Sequence, residues 1–343
     1  MRNALILRTR RFSRQINIRT GAVAVLLALV CLAVAVASLA IGKHVIGPID
    51  VANALIGEGP RRDTFIIEIL RMPRLLMACM VGMALALSGL ILQSVVRNPL
   101  ASPDILGITG GASAAAVAFL SFLAPVMSLR WLPVAAIVGA STTAAMVYLL
   151  AWKQGVSPLR LVLTGVGISA LMASVTTLLM VLSPLASTLS AYVWLTGSVF
   201  GASWPEVQSM FLWLCALLPA LVWVARRVNV LELDDLLAVG LGLRMQTTRL
   251  ALVALSVALA GSAVAHAGAI AFVGLIAPHI ARALVAHTFG GLAVVTALVG
   301  AILVAAADLA GRTLFLPMDL PAGMFVSLLG AVFFVYLLLR QVR

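Results

Sequence analysis

Charge is what this sequence has least of. Only 10% of its 343 residues are Asp, Glu, Lys or Arg, while 63% are hydrophobic; an ordinary soluble domain carries about 25% charge. A soluble fold of this size has too little polar surface to cover so much apolar material, so a soluble enzyme is excluded and the bilayer is the required solvent. Lysine occurs twice, at Lys43 and Lys153. Neither stands in the G-x-x-x-x-G-K-[ST] pattern that cradles nucleotide phosphates, so the chain does not bind ATP by that mechanism. The three cysteines, Cys31, Cys79 and Cys215, lie in apolar runs without metal-ligand spacing. They read as packing residues, not as a disulfide framework or a metal site. The four histidines, His44, His266, His279 and His287, are too scattered for a ligand set or a catalytic cluster. No polar stretch is long enough for a second, soluble domain.

What is present is a series of apolar runs. A spanning helix needs roughly 20 apolar residues, and the runs predict an all-α, polytopic membrane protein of about ten spans. They fall at about 21–41, 75–95, 105–126, 132–152, 161–182, 207–225, 250–268, 270–278, 292–309 and 321–339. The first exceeds the apolar core of 7–15 residues usual in a signal peptide and reads as a retained helix. The eighth is too short to cross alone, and is expected either to continue past Pro278 or to pack inside the protein.

The basic residues set the orientation. Six arginines (Arg2, Arg8, Arg10, Arg11, Arg14, Arg19) crowd the first 19 residues with no acid among them. Beside an apolar run this is a cytoplasmic anchor, not a nucleic-acid site. With an inside amino terminus, 16 Lys and Arg fall inside and seven outside, and the closing Arg340 and Arg343 are also inside. Residues 1–20 are therefore expected as a cytoplasmic tail and 21–343 as one transmembrane domain.

Small residues such as Gly82, Ala84, Ala86, Ser88 and Gly89 recur within the spans; they let helices approach closely in lipid. The spans lack the Asp, Glu or His series of a proton relay or cation site. This argues against an ion-driven secondary transporter and leaves an external energy source open. Asp308 is the exception, and Arg312, one helical turn later, reads as its structural partner.

Two features invite partners. The longest inside loop, about 226–249, carries Leu233, Leu236, Leu237 and Leu241 at helical spacing, an apolar stripe suited to a protein contact. On the outside, Arg61, Arg62, Arg71, Arg74 and Arg312 oppose the charge bias. Carboxylates of a docking protein would account for them.

Several strings then occur in order: Arg71-Met-Pro-Arg74; Gly82, Ser88-Gly89 and Gln93; Arg97-Asn-Pro-Leu-Ala-Ser-Pro-Asp-Ile-Leu-Gly107; Leu163-Thr-Gly-Val-Gly167; Trp194-Leu-Thr-Gly-Ser198; Ile270-Ala-Phe-Val-Gly-Leu-Ile-Ala-Pro-His279; Ala307-Asp308 with Arg312; and Leu320-Pro-Ala-Gly323. Together they resemble the FecCD permeases of iron-chelate and vitamin B12 ABC importers, across nearly the whole chain beyond residue 20. The resemblance implies a type II ABC importer permease in the cytoplasmic (inner) membrane of a bacterium. It implies a second permease chain, homologous or identical, two ATPase subunits binding ATP and Mg, and a periplasmic or lipid-anchored binding protein. The chain itself would have no catalytic residue, metal or cofactor. Arg71, Arg74 and Arg312 match the family's docking arginines, and Leu237, Ala238, Leu241 and Gly242 its coupling loop. The inner gate would lie near the turn Gly155–Arg160, at Ser157, Pro158 and Leu163, where Pro158 departs from the family's small hydroxyl residues. The strings look most like permeases for ferric siderophores or ferric citrate, with B12 or haem as the alternative cargo.

Overall fold

The computed structural model describes residues 4–9, 12–153, 155–231, 233, 235–285 and 288–341. Of the residues singled out above, Arg2, Arg10, Arg11, His287 and Arg343 lie outside these. A short antiparallel hairpin, β1 (Ala4–Thr9) and β2 (Phe12–Asn17), precedes the helices. The helices in order are α1 (Ile18–Ala40), α2 (Pro48–Leu55), α3 (Arg61–Phe65), α4 (Met72–Val96), α5 (Ile108–Ala118), α6 (Leu132–Ala151), α7 (Pro158–Leu182) and α8 (Leu185–Thr196). They continue with α9 (Trp204–Leu231), α10 (Asp235–Gly240), α11 (Met245–Ala267), α12 (Val273–Leu284), α13 (Phe289–Thr313) and α14 (Ala322–Gln341).

Among the described residues, seven helical stretches are long and apolar enough to cross a membrane, and three shorter apolar ones are Ile108–Leu123, Val273–Leu284 and Ala322–Leu337. These ten match the ten predicted spans one for one. The second starts earlier than expected: α3 passes through a π-turn, Ile66–Arg71, straight into α4, giving one 36-residue stretch, Arg61–Val96. Pro73 explains the turn. A proline inside a helix lacks the N–H for the usual ladder, and the ladder slips so that Met72 N donates to Ile67 O, as π-turns do.

The bundle is built around α4. The apolar window of Arg61–Val96 is 83% buried, against 11% for α1 and for α7. Glycines permit this density. A Cβ on Gly82 would lie 2.1 Å from Gly300 O on α13, and one on Gly89 would lie 1.9 Å from Gly274 O on α12. Polar groups lock the same faces: Ser88 Oγ donates to Ser256 O at 2.8 Å and Ser256 Oγ to Ser88 O at 3.0 Å, joining α4 to α11. In lipid such packing and paired hydroxyls do the work that water exclusion does elsewhere.

The eighth span continues past Pro278 to Leu284 and is largely buried. Pro278 cannot donate to Gly274 O, four residues earlier. Gln93 Nε2 of α4 donates to that carbonyl instead, at 3.3 Å, and Gln93 Oε1 accepts from Arg282. The Gly89 and Gln93 of one string thus exist for the Gly274 and Pro278 of another. The twelve-residue α8 was not predicted. It lies between Pro184 and Gly197, whose φ is +71°. Gly323 N donates to Gly197 O at 2.9 Å and Ser198 N to Ala267 O at 2.7 Å, so the Thr-Gly-Ser and Pro-Ala-Gly strings meet.

Gly89→Ala forces a methyl against the α12 backbone and is expected to destabilise by about 1–3 kcal/mol. Gly167→Ala, with nothing within 4 Å of the added carbon, is expected to fall within about 0.5 kcal/mol of wild type. Thermal unfolding in detergent, read by monodisperse elution, compares them; equal midpoints would remove the packing argument.

Candidate functional site

The 25 residues of α4 separate two charged clusters by about 37 Å at 1.5 Å per residue.

At its first end lie the three arginines predicted to dock a partner. Arg71 donates Nη1 to Ala40 O at 3.0 Å and to Leu39 O, and Nη2 to His44 O. It thereby closes the last carbonyls of α1, which have no partners within their own helix and favour a cation. Gly42 makes room, since a Cβ there would lie 2.8 Å from Arg71 Nη2. Arg312 donates to Ser38 O and, at 2.7 Å, to Ser38 Oγ on the same helix end. Arg74 is saturated. Its Nε reaches both oxygens of Asp308 at 2.9 Å, and Nη1 and Nη2 form a two-point contact with Asp319 at 2.8 Å each. Phe200 lies against it, 5.4 Å from guanidinium carbon to ring centroid.

Arg71, Arg74 and Arg312 are only 7%, 8% and 9% exposed. Arg74 finds its carboxylates within the chain, whereas Arg71 and Arg312 are held by backbone carbonyls and the Ser38 hydroxyl. Asp308 and Arg312, read as a helical pair, stand 3.9 Å apart, so Arg74 is the closer partner of Asp308. Asp319 was not singled out, because nothing in the sequence ties it to Arg74, 245 residues away. The hydrogen bonds from Arg74 hold its carboxyl below the usual range, against the opposing effect of burial. The group opens onto a cleft of about 700 Å³ lined also by Lys43, Trp204 and Met318.

At the other end, Arg97 caps α4 in the left-handed conformation, φ +53°. Its Nη2 donates to Leu231 O at 2.7 Å and to Asp235 Oδ1 at 2.6 Å. Asp235 opens α10, the helical part of the predicted coupling loop. That helix ends as its Ala-x-x-Leu-Gly pattern requires: Gly242 (φ +83°) donates to Val239 O at 2.8 Å and Leu243 N to Ala238 O at 3.0 Å, a Schellman closure. Ala238 is buried, whereas Leu236, Leu237 and Leu241 are 82%, 61% and 67% exposed. The apolar stripe predicted for the loop is therefore on the surface.

Asp235 also accepts from Arg249 Nη2 of α11, at 3.0 and 3.2 Å, and Arg249 Nη1 donates to Val156 O at 3.0 Å. Burial alone would raise the Asp235 pKa, but Arg249 and then Arg97 outweigh it and hold it low. Asp235 is thus ionised at neutral pH, and its contribution is lost only as pH falls below the ordinary carboxylate range. Val156 belongs to the turn predicted to hold the inner gate. There Ser157 Oγ caps α7, accepting from Arg160 N at 3.3 Å. Pro158 takes the first helical position, where its missing N–H costs nothing. Leu163 lies on α7 and is exposed. Among the described residues no group of three His, Cys, Asp or Glu is placed to hold a metal.

The FecCD transport family matches residues 27–340. The chain is 59% identical over 341 residues to the achromobactin transport system permease protein CbrC of Dickeya dadantii (strain 3937), covering 99% of this chain and 98% of that one. It is 46% identical over 314 residues to YfhA of Bacillus subtilis (strain 168), named a probable siderophore transport system permease, with 90% and 91% covered. A solved chain described as an inward-facing metal-chelate type ABC transporter superposes with TM-score 0.84 at 31% identity, covering 93% of this chain and 99% of that one.

The buried ion pair has a testable cost. Arg74→Leu strands Asp308, 1% exposed, and is expected to destabilise by about 3–5 kcal/mol, whereas pairing it with Asp308→Leu restores most of the loss. Thermal unfolding of both variants decides it; a double variant no more stable than the single one would remove the pairing.

Proposed function

The chain belongs to the FecCD transport family, whose members are permease subunits and not ATP-hydrolysing enzymes, and on that premise we propose that it carries an iron(III)–siderophore complex inward as part of an ATP-driven importer. The observation that carries this is end-to-end identity of 59% with an achromobactin transport permease. It makes ferric achromobactin the first chelate to try. An integral membrane permease of an ABC system works with an ATPase and a binding protein. Membership of this family also sets aside the ion-driven and membrane-enzyme readings.

In the proposed arrangement the chain lies in a bacterial cytoplasmic membrane with both termini inside, as its arginine distribution favours. It pairs with a second permease chain. Two ATPase subunits, holding ATP and Mg, seat on the inside around α10, where Leu237 and Leu241 offer apolar contact. Ala238 and Gly242 fix the helix that presents them. A loaded binding protein docks outside over the cleft, with Arg71, Arg74 and Arg312 at its floor. Since Arg74 is already paired, docking exchanges partners: Asp319, whose side chain is 28% exposed, swings out as an incoming carboxylate replaces it. ATP binding and hydrolysis move α10, and the turn at Ser157 and Pro158, with Leu163 beyond it, opens or closes the inner end. The chelate passes intact, so the chain needs no iron ligands of its own.

Replacing Arg71, Arg74 and Arg312 together by lysine keeps the charge and removes the forked geometry. The binding protein is expected to dock at least about tenfold more weakly to the nanodisc-embedded complex, a change of about 1.4 kcal/mol. Unchanged affinity in folded protein would remove the docking role. For the cargo, cells lacking this chain are offered iron-55 as achromobactin, hydroxamate, catecholate and citrate complexes, with labelled B12 and haem alongside. Loss of siderophore iron uptake, restored by complementation, is the expected result. Loss of B12 or haem uptake alone would keep the importer and replace its cargo.

A further inference from the structure

Asp235 ties the short helix α10 to two helices that already pack on each other, α4 and α11. It is the first residue of α10, it accepts from Arg97 at the end of α4, and it accepts from Arg249 in the first turns of α11. Arg249 is 5% exposed and its second nitrogen holds Val156 O at 3.0 Å. Gln246, one turn earlier on α11, accepts from Val156 N at 3.0 Å. Both polar backbone groups of Val156 are thus held by the start of α11, two residues before α7 begins. A continuous series of short polar contacts runs α10, Asp235, Arg249, Val156, α7.

The packing gives this series a direction. α4 is deeply buried and α7 is not, so a displacement entering at α10 meets less resistance toward α7 than toward the core. α10 is suited to receive one: Leu236, Leu237, Val239 and Leu241 are exposed, and Ala238 alone of the helix is buried. Arg249 forks between the two, Nη2 to Asp235 and Nη1 to Val156 O, and its rigid guanidinium plane transmits orientation as well as distance.

We infer that Asp235 is the positioning residue that links α10 to the turn before α7, so that movement of α10 is converted into movement of the inner end of the pathway. The inference rests on the reading of α10 as the ATPase seat.

The test uses the whole complex, permease with ATPase and binding protein, in proteoliposomes. The substrate is whichever labelled chelate of the panel above the wild-type chain transports. Asp235→Asn is expected to retain the ATPase on purification, while uptake per ATP hydrolysed falls about tenfold, and Asp235→Glu to recover most of it. Arg249→Lys keeps a charge near Asp235 but does not fork between it and Val156 O. It is expected to uncouple in the same way, and it carries the comparison if Asp235→Asn does not accumulate. Wild-type uptake per ATP in these variants overturns the inference. Leu237→Asp with Leu241→Asp separates the two readings. If that pair leaves ATPase co-purification intact, α10 is not the seat and the premise fails. If it releases the ATPase while the Asp235 and Arg249 variants stay coupled, the premise stands and the inference alone is lost.

Discussion

The close approach of α4 to its neighbours is the constraint on which the other features depend. Lipid tails are as apolar as leucine, so helices in a bilayer gain little from hiding apolar surface and must gain from contact and polar pairing instead. Gly82 against Gly300 and Gly89 against Gly274 bring backbones together at distances a single methyl group would forbid. That proximity lets Gln93 reach the carbonyl that Pro278 leaves open, and lets Ser88 and Ser256 satisfy each other. A helix held this tightly is a rigid post, and the arginines at its two ends are positioned by it.

Both ends solve the same problem, a guanidinium close to the membrane, but in different ways. Arg74 is enclosed and matched by Asp308 and Asp319, while Arg71 and Arg312 close the end of α1. These contacts fix the end of α1, which along the rest of its length packs on α13. At the other end Arg97 and Asp235 are partly open to solvent while Arg249 is buried, and together they join short pieces, a six-residue helix and a turn, instead of sealing a long one.

The sequence made the ten spans legible because each is a run of apolar residues bounded by charge, and that pattern needs no tertiary knowledge. It concealed α8, whose twelve residues are too few to span and whose C-terminal end is fixed at Gly197 by Gly323 from a distant part of the chain. The arginines stood out because charge is rare here, and their location near the ends of spans was readable. Their partners were not: Asp319 is joined to Arg74 only by folding, so an internal neutraliser and an external one look alike in one dimension. The predicted coupling loop gave up its exposed leucines and its Gly242 cap through local spacing. Asp235 did not stand out in one dimension, since its 2.6 Å and 3.0 Å contacts to Arg97 and Arg249 exist only in the fold.

The two ends also differ in what a partner must displace. In the proposed docking, an incoming carboxylate at Arg74 would replace Asp319, so the gain would be the difference between two ion pairs and not the formation of one from a bare charge. Such an exchange adds less affinity than a bare charge would, its forked geometry sets what remains, and salt weakens it. That would suit a contact made and broken in every cycle. At α10 the proposed contact exchanges nothing: Asp235 keeps both arginines, and a partner would add apolar area over Leu236, Leu237 and Leu241, which is nearly indifferent to salt. In the proposed arrangement the outer contact is therefore governed by charge and the inner by buried surface. A transporter needs that asymmetry if its energy source is to stay attached while its cargo carrier comes and goes.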